Sequence, residues 1–345
     1  MSAPRKAHMA GALAPPAPGA VLSLPLAHRL LGMKESGAFG VCGKCRSLYM
    51  VEGRLLTLAS SSLPLPAEAA GPTASTSAAD ARPLLEMKGL SKSFANVTAV
   101  SGFEAAIAPG EFVTVVGPSG CGKSTLFNIV AGLEEPDSGS ILRFEGRSCH
   151  ARELLGKVSF MPQRDLLLPW RTVIDNAVIP MEIEGRSRKA ARAEAREMLP
   201  EFGLAGFGDQ YPHQLSGGMR QRVALMRTFM FKRELMLLDE PFGALDALTR
   251  TMMQRWLLEV WRKHRRTILF ITHDVDEALF LGDRVLVMSA RPGRVKLELP
   301  VSLPRPRSAE LVTDPEFVRL KRILLEAIEE EAMKSFLAPG ASGTH

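Results

Sequence analysis

Nine consecutive residues, Gly117-Pro118-Ser119-Gly120-Cys121-Gly122-Lys123-Ser124-Thr125, follow the spacing G-x-x-x-x-G-K-[ST]. Glycines at these positions let backbone N–H groups turn inward around phosphate oxygens, and a helix opening at Lys123 adds partial positive charge. Lys123 then reaches the β- and γ-phosphates, and the Ser124 hydroxyl is placed to ligate Mg²⁺. Cys121 occupies a variable position, so its side chain is a spectator. A second stretch, Leu235-Met236-Leu237-Leu238-Asp239-Glu240, is an apolar run ending in two carboxylates. In a parallel sheet the active edge lies at the C-terminal ends of the strands. Asp239 would arrive there beside the phosphate loop to hold Mg²⁺, usually through water, and Glu240 would polarise an attacking water as general base. Standing alone, such a pair also reads as an exposed acidic turn after a core strand; beside a phosphate loop the nucleotide reading prevails.

A third stretch narrows the chemistry. In Leu215-Ser216-Gly217-Gly218-Met219-Arg220-Gln221-Arg222, a Ser-Gly-Gly turn opening a helix is another anion site, with free N–H groups, a hydroxyl donor and a helix dipole. One nucleotide has no evident need of two such cradles in one chain. The economical solution is a dimer in which each subunit's Ser-Gly-Gly turn closes over its partner's ATP.

The elements that must position these residues are legible in the hydropathy pattern. Phe112–Val116, Leu235–Leu238, Thr267–Ile271 and Val285–Met288 are apolar throughout, which predicts a largely parallel sheet covered on both faces and an α/β core. Lys123–Leu133 reads as a helix after the Gly-rich turn. Between about 164 and 225 the pattern is mostly helical: Ser187 is a candidate cap for a helix through Leu199, with Ala191, Ala195 and Met198 inward and Arg188, Lys189, Arg192 and Arg196 on a solvated face. Asp314-Pro315 starts a last helix whose Phe317, Leu320, Leu324, Ala327 and Ile328 form a core-docking stripe.

The chain has 345 residues, a length for roughly two domains, with 46% hydrophobic and 23% charged residues. That balance excludes a wholly disordered chain, a collagen-like one and a polytopic membrane protein. Four cysteines exclude a disulfide scaffold. A formal charge of +6 is weak evidence for nucleic acid and compatible with docking near anionic lipid. Residues 1–82 differ in texture: they are Pro- and Gly-rich, with low-complexity runs at Ser61-Ser62 and Gly71–Ala79, and read as a disordered extension. Cys42 and Cys45 form a lone Cys-x-x-Cys there without the further ligands a structural zinc needs, so they read as free thiols. A start nearer Met50 or Met87 is an alternative account of this segment. The apolar stretch Met9–Ala27 carries four prolines and is not expected to work as a signal helix. Nothing downstream offers a bilayer-spanning run.

From about Leu84 to Phe336, with every motif in order, the chain resembles the ATP-binding subunits of ABC transporters. The resemblance implies a P-loop NTPase (RecA-like) α/β core with an antiparallel β subdomain and an inserted helical subdomain. It places an ABC ATPase domain at 83–312, the helical part at about 164–225, and a C-terminal helix and short tail at 313–345. Gln163, after Val158-Ser159-Phe160-Met161-Pro162, matches the Q-loop glutamine that touches Mg²⁺ and the membrane subunit; Asp246 matches the D-loop aspartate at the dimer seam. His273 matches the switch histidine that senses the γ-phosphate, and Phe94 the adenine-stacking position, where Tyr is frequent. No catalytic motif is degraded, so a working ATPase using ATP and Mg²⁺ is implied.

Leu166-Leu167-Leu168-Pro169-Trp170-Arg171-Thr172-Val173, Ser289-Ala290-Arg291-Pro292-Gly293-Arg294 and Asp314-Pro315-Glu316-Phe317 are similar to the nitrate/sulfonate/taurine importer group. Leu168 and Trp170 suit either an apolar surface receiving the permease or the core of the helical subdomain. The implied partners are a second ATPase subunit, polytopic permease subunits and a separate solute-binding protein, without nucleic acid, at the cytoplasmic face of the plasma (inner) membrane. An export ATPase with separate permease chains is the main alternative. A soluble ABC ATPase acting on DNA or ribosomes fits less well, because the chain has one cassette and no long coiled-coil insertion.

Overall fold

The computed structural model describes residues 82–337, together with the backbone of three short strands before them. Those strands are β1 (Gly40–Cys42), β2 (Cys45–Val51) and β3 (Arg54–Thr57), joined as an antiparallel sheet in chain order. Cys42 pairs with Cys45 and Val51 with Arg54, the two-residue spacing of tight hairpins. The extension expected to lack regular structure thus contains local ladders, where Leu48, Tyr49 and Val51 favour extended backbone. The readings made for Met9–Ala27, Ser61-Ser62 and Gly71–Ala79 lie outside the described residues.

The remainder of the described chain is built on two sheets. β4 (Leu85–Phe94), β5 (Val97–Ile107), β7 (Ile141–Phe144) and β8 (Arg147–Ser148) form an antiparallel sheet in the order β5-β4-β7-β8. The central sheet runs β13-β12-β6-β11-β10-β9, from β6 (Phe112–Val116), β9 (Val158–Met161), β10 (Leu235–Asp239), β11 (Thr267–Ile271), β12 (Arg284–Met288) and β13 (Val295–Pro300). All its neighbours are parallel except the edge pair β12–β13.

The apolar runs of the central strands divide between two cores because successive side chains point to opposite faces. Phe112, Val116, Met236, Leu238, Ile268, Phe270, Val285 and Val287 enter one core, shared with the helical region and the C-terminal helix. Val113, Val115, Leu235, Leu237, Leu269, Ile271, Leu286 and Met288 enter the other, shared with the antiparallel sheet. The second core also takes Leu126, Phe127, Ile129 and Val130 of α1 (Lys123–Val130), the helix that follows β6. Burial on both faces is why these strands show no alternation in sequence.

Between β9 and β10 lie α2 (Val173–Ala177), α3 (Ile179–Ile183), α4 (Arg188–Met198) and α5 (Gly217–Met230). Ala191 and Ala195 of α4 are buried, while Ser187 precedes the helix without a side-chain capping bond. The basic face of α4 is largely paired. Arg188 and Arg192 both bind Asp175, and Arg192 and Arg196 approach Asp209. Burial works against the Asp175 carboxylate, yet the two arginines hold its pKa below the ordinary value. Three helices follow: α6 (Ala247–His264), α7 (Val275–Leu281) and α8 (Pro315–Leu337). Asp314 accepts the Glu316 N–H at the start of α8, and Phe317, Leu320 and Leu324 are buried.

Buried Asn176 organises the Leu168–Thr172 loop. Its Oδ1 accepts the Leu168 N–H at 2.8 Å, and its Nδ2 donates to the carbonyls of Leu168, Arg171 and Thr172. The loop so held turns Trp170 outward, 71% exposed, while Leu168 is half-buried. Asn176→Ala takes the partner from the Leu168 N–H and the Arg171 carbonyl, while Leu168 O keeps the Arg171 N–H and Thr172 O keeps the residue-176 N–H; it is expected to cost about 1–3 kcal/mol, measured as a lower denaturant midpoint with unchanged slope.

Candidate functional site

Every strand of the parallel part of the central sheet ends at the same edge, and the loops leaving that edge carry the chemistry. In spatial order they follow β12, β6, β11, β10 and β9. Register places Val116 opposite Val287, Ile271 opposite both Val115 and Asp239, and Leu238 opposite Met161. The loop at 117–122, Thr272-His273, Asp239-Glu240 and Pro162-Gln163 are therefore neighbours although far apart in sequence.

The loop after β6 has the shape of a phosphate cradle. A Cβ at Gly117 would lie 2.9 Å from the Met288 carbonyl oxygen, and one at Gly122, which has φ +101°, would lie 2.7 Å from that of Ala99. Only glycine allows the backbone this close to its neighbours. Lys123 Nζ folds along the loop and donates to the carbonyls of Gly117 at 2.9 Å and Pro118 at 3.1 Å. Ser119 and Gly120 are exposed at the tip, and Thr125 is half-buried on α1. The Cys121 thiol is buried. Burial pushes its pKa up against the pull of Lys123, which leaves it protonated and unreactive.

Two hard oxygen donors meet beside the cradle. The Ser124 hydroxyl donates to Asp239 Oδ2 at 3.3 Å, a donor set that suits Mg²⁺. Asp239 is 6% exposed. Burial raises its pKa to about 6 with a smaller push from Glu240, against the Ser124 hydrogen bond and the charge of Lys123. The chemistry of these groups fits a hydrated divalent cation between them and a phosphate chain.

Gln163 and His273 both reach one oxygen of Glu240, the residue expected to polarise water. Glu240 Oε2 accepts from Gln163 Nε2 at 3.1 Å and lies 3.2 Å from His273 Nδ1. Glu240 itself has φ +46°, a left-handed conformation that costs a non-glycine residue about 1–3 kcal/mol. Its N–H donates to Ile271 O and its carbonyl accepts the Gly243 N–H, so the turn is fixed at both ends. Phe94 ends β4 with its ring 44% exposed and Lys92 Nζ 5.1 Å from the ring centroid. An exposed π-face of this kind can stack on a purine.

Ser216 and Asp246 lie outside this constellation. Ser216 caps α5 by accepting the Met219 N–H, and Asp246 caps α6 by accepting the Thr249 N–H. The Thr249 bonds also hold the Asp246 carboxyl below its usual pKa. Among the described residues no hydrogen bond joins Ser216, Gly217 or Gly218 to the phosphate loop. The turn packs against the following loop instead, a Cβ at Gly218 coming 3.1 Å from Leu245 Cδ2.

Sequence reasoning missed the support beneath His273. Buried Glu277 accepts from the Thr272 hydroxyl and, at 2.9 Å, from Gln254 Nε2, while Thr272 Oγ1 accepts the Asp274 N–H. Burial raises the Glu277 pKa. The signal was a glutamate on the inward face of the apolar run Val275–Leu281. A second omission ties α5 to the segment after Gln163. Arg220 Nε donates to Asp165 Oδ2, and Arg227 donates to the carbonyls of Asp165 and Leu166.

Residues 100–243 match the family model described as ABC transporter. The chain is 42% identical to an uncharacterized ABC transporter ATP-binding protein of Methanocaldococcus jannaschii, over 73% of this chain and 93% of that one. It is 44% identical to an aliphatic sulfonates import ATP-binding protein of Burkholderia lata, over 74% of this chain and 72% of the relative. Among solved structures it is similar to a dimeric ATP-binding cassette in a post-hydrolysis state bound to ADP and Pi. That match has a TM-score of 0.57 and 28% identity, over 64% of this chain and all of the other.

The raised pKa of Asp239 has a stability consequence. Between about pH 4 and 6 the folded protein holds a proton that the unfolded chain has lost, so raising the pH through this window removes stability. Asp239→Asn, neutral and isosteric, escapes that cost. We expect its melting temperature to exceed wild type by a few degrees at pH 8 and the gap to close toward pH 4; equal melting at pH 8 would refute the assignment.

Proposed function

Since the chain belongs to the ABC transporter family, as the ATP-hydrolysing subunit of an importer, we propose that two copies close around two Mg²⁺·ATP and that this closure drives uptake of a small solute. The sulfonate-import relative points to nitrate, sulfonates, taurine or a related solute. An export role loses support because the functionally named relative serves import. The observation that carries the reading is the convergence of Gln163, Glu240 and His273 beside the Lys123 cradle.

Backbone N–H groups of residues 117–122 and the amino end of α1 hold the phosphates, with Lys123 on the β- and γ-oxygens. Ser124, Asp239 and Gln163 would hold Mg²⁺, which when bound neutralises charge building between those phosphates. Glu240 accepts the proton of the attacking water as its oxygen bonds to the γ-phosphorus and the bond to ADP breaks. His273 and Gln163 orient the Glu240 carboxylate. Phe94 stacks on the adenine, and Ser216–Gly218 with Asp246 serve the partner's nucleotide, in keeping with their position outside the chain's own site.

Arg220 and Arg227 couple α5 to the segment beyond Gln163, so a nucleotide closing on Ser216 would draw that segment with it. Exposed Trp170 and half-buried Leu168 on the same segment suit an apolar permease contact. Among the described residues no helix is long and apolar enough to cross a membrane. This agrees with a peripheral subunit on the cytoplasmic face, working with polytopic permease chains and a separate solute-binding protein. An ABC ATPase domain at 83–312, its helical part at about 164–225, a C-terminal helix and short tail at 313–345 and a low-complexity extension at 1–82 complete the proposed organisation.

Glu240→Gln keeps the hydrogen bonding of the site but removes the base. It should bind ATP with near wild-type affinity, hydrolyse it at least 100-fold more slowly, and accumulate as a closed dimer on gel filtration with ATP. Wild-type turnover, or a strictly monomeric ATP-bound variant with the permease present, would overturn the reading.

A further inference from the structure

The loop after β12 lies against the phosphate loop from outside, and its role is not accounted for by the chemistry above. Gly293 is the point of closest approach. Its N–H donates to Ala99 O at 2.9 Å, its carbonyl accepts the Ser101 N–H at 3.0 Å, and a Cβ there would fall 2.0 Å from Cys121 O. Two backbones are thus in direct contact with no side chain between them. The loop is closed on itself by Ser289, whose N–H donates to Arg294 O and whose hydroxyl donates to Pro292 O. It is also tied to α8, where the nearly buried Glu331 carboxylate accepts the Ala290 N–H at 2.9 Å. From this fixed frame Arg291 Nε donates to the Gly120 carbonyl at 3.1 Å.

That bond bears on the orientation of a peptide at the centre of the cradle, holding its oxygen end while the Cys121 N–H donates to Pro118 O at 3.4 Å. A trans peptide is planar, with its C=O and N–H on opposite sides. Holding the Gly120 oxygen outward on Arg291 directs the Cys121 N–H inward, and this N–H does face the Pro118 carbonyl on which Lys123 also converges. Gly120 has φ +74° and no side chain, so within the loop only the long 3.4 Å bond from the Cys121 N–H to Pro118 O opposes a flip that would present an oxygen to the phosphates. We propose that Arg291 is a positioning residue for ATP binding: it clamps the Gly120–Cys121 peptide with its N–H toward the phosphates, on a frame anchored to α8 by Glu331. This rests on the reading of 117–125 as the phosphate cradle.

The test uses the full chain, measuring ATP Kd by equilibrium binding and KM and kcat by steady-state hydrolysis, with Lys123→Ala as reference. Arg291→Ala should raise both Kd and KM for ATP about five- to tenfold with kcat within twofold of wild type. Arg291→Lys, which restores a cationic donor, should recover most of the loss. Wild-type Kd in Arg291→Ala while Lys123→Ala abolishes binding would overturn the clamp alone. So would a lowered kcat at unchanged KM, or a lysine variant as weak as the alanine one. Normal ATP binding by Lys123→Ala would overturn the cradle reading and the clamp together.

Discussion

The site depends on backbone approaching backbone where no side chain fits. At Gly117, Gly122 and Gly293 an added methyl would strike a carbonyl oxygen or the neighbouring main chain. These contacts bring the Ala99 end of β5 and the carboxyl ends of β6 and β12 against the phosphate loop and its flanking turn. Hydrophobic burial holds the strands. At the edge, close approach and hydrogen-bond direction set the geometry that a phosphate would meet.

Around this edge the protein combines two kinds of support. Beneath it, the two cores fix each strand from both faces, so a slip of the register that sets His273 beside Glu240 would exchange the side chains packed in the two cores and disrupt both. Beside it, polar ties reach in from remote segments. Glu277 steadies Thr272, Arg220 and Arg227 hold the stretch after Gln163, and Glu331 fixes the loop after β12. The Glu331 carboxyl is held near pKa 2: burial opposes ionisation, but the Lys334, Ala290 and Lys296 contacts outweigh it. It therefore stays charged throughout the neutral range.

The strands and the phosphate loop were legible because their signals are local. A run buried on both faces has to be apolar throughout, and Gly117, Gly122 and Lys123 sit at spacings that only one loop geometry uses. Gln163 and His273 were singled out through family resemblance and Glu240 through the acidic pair after its apolar run, but their meeting at one Glu240 oxygen was not legible, since nothing in their separate neighbourhoods encodes it. The Arg291–Gly120 bond, the Glu277 network and the Glu331 anchor were not legible, because each joins segments whose proximity exists only after the sheet has formed. Ser187 shows the reverse error. It has the right residue type before a helix but a backbone that does not turn its hydroxyl onto the helix N–H groups. The helix is held instead by Asp175 reaching across from α2.

The outward projection of Trp170 gives the protein an optical property. Its other two tryptophans are more sheltered: Trp256 is half-buried against Phe202 and Phe229, and Trp261 is buried with its indole N–H donating to Arg266 O. Trp170 is by far the most exposed of the three, so the long-wavelength part of the emission spectrum, and its collisional quenching by iodide, are weighted toward this side chain. The intrinsic fluorescence of this chain thereby reports, without any label, whether that surface is wet or covered.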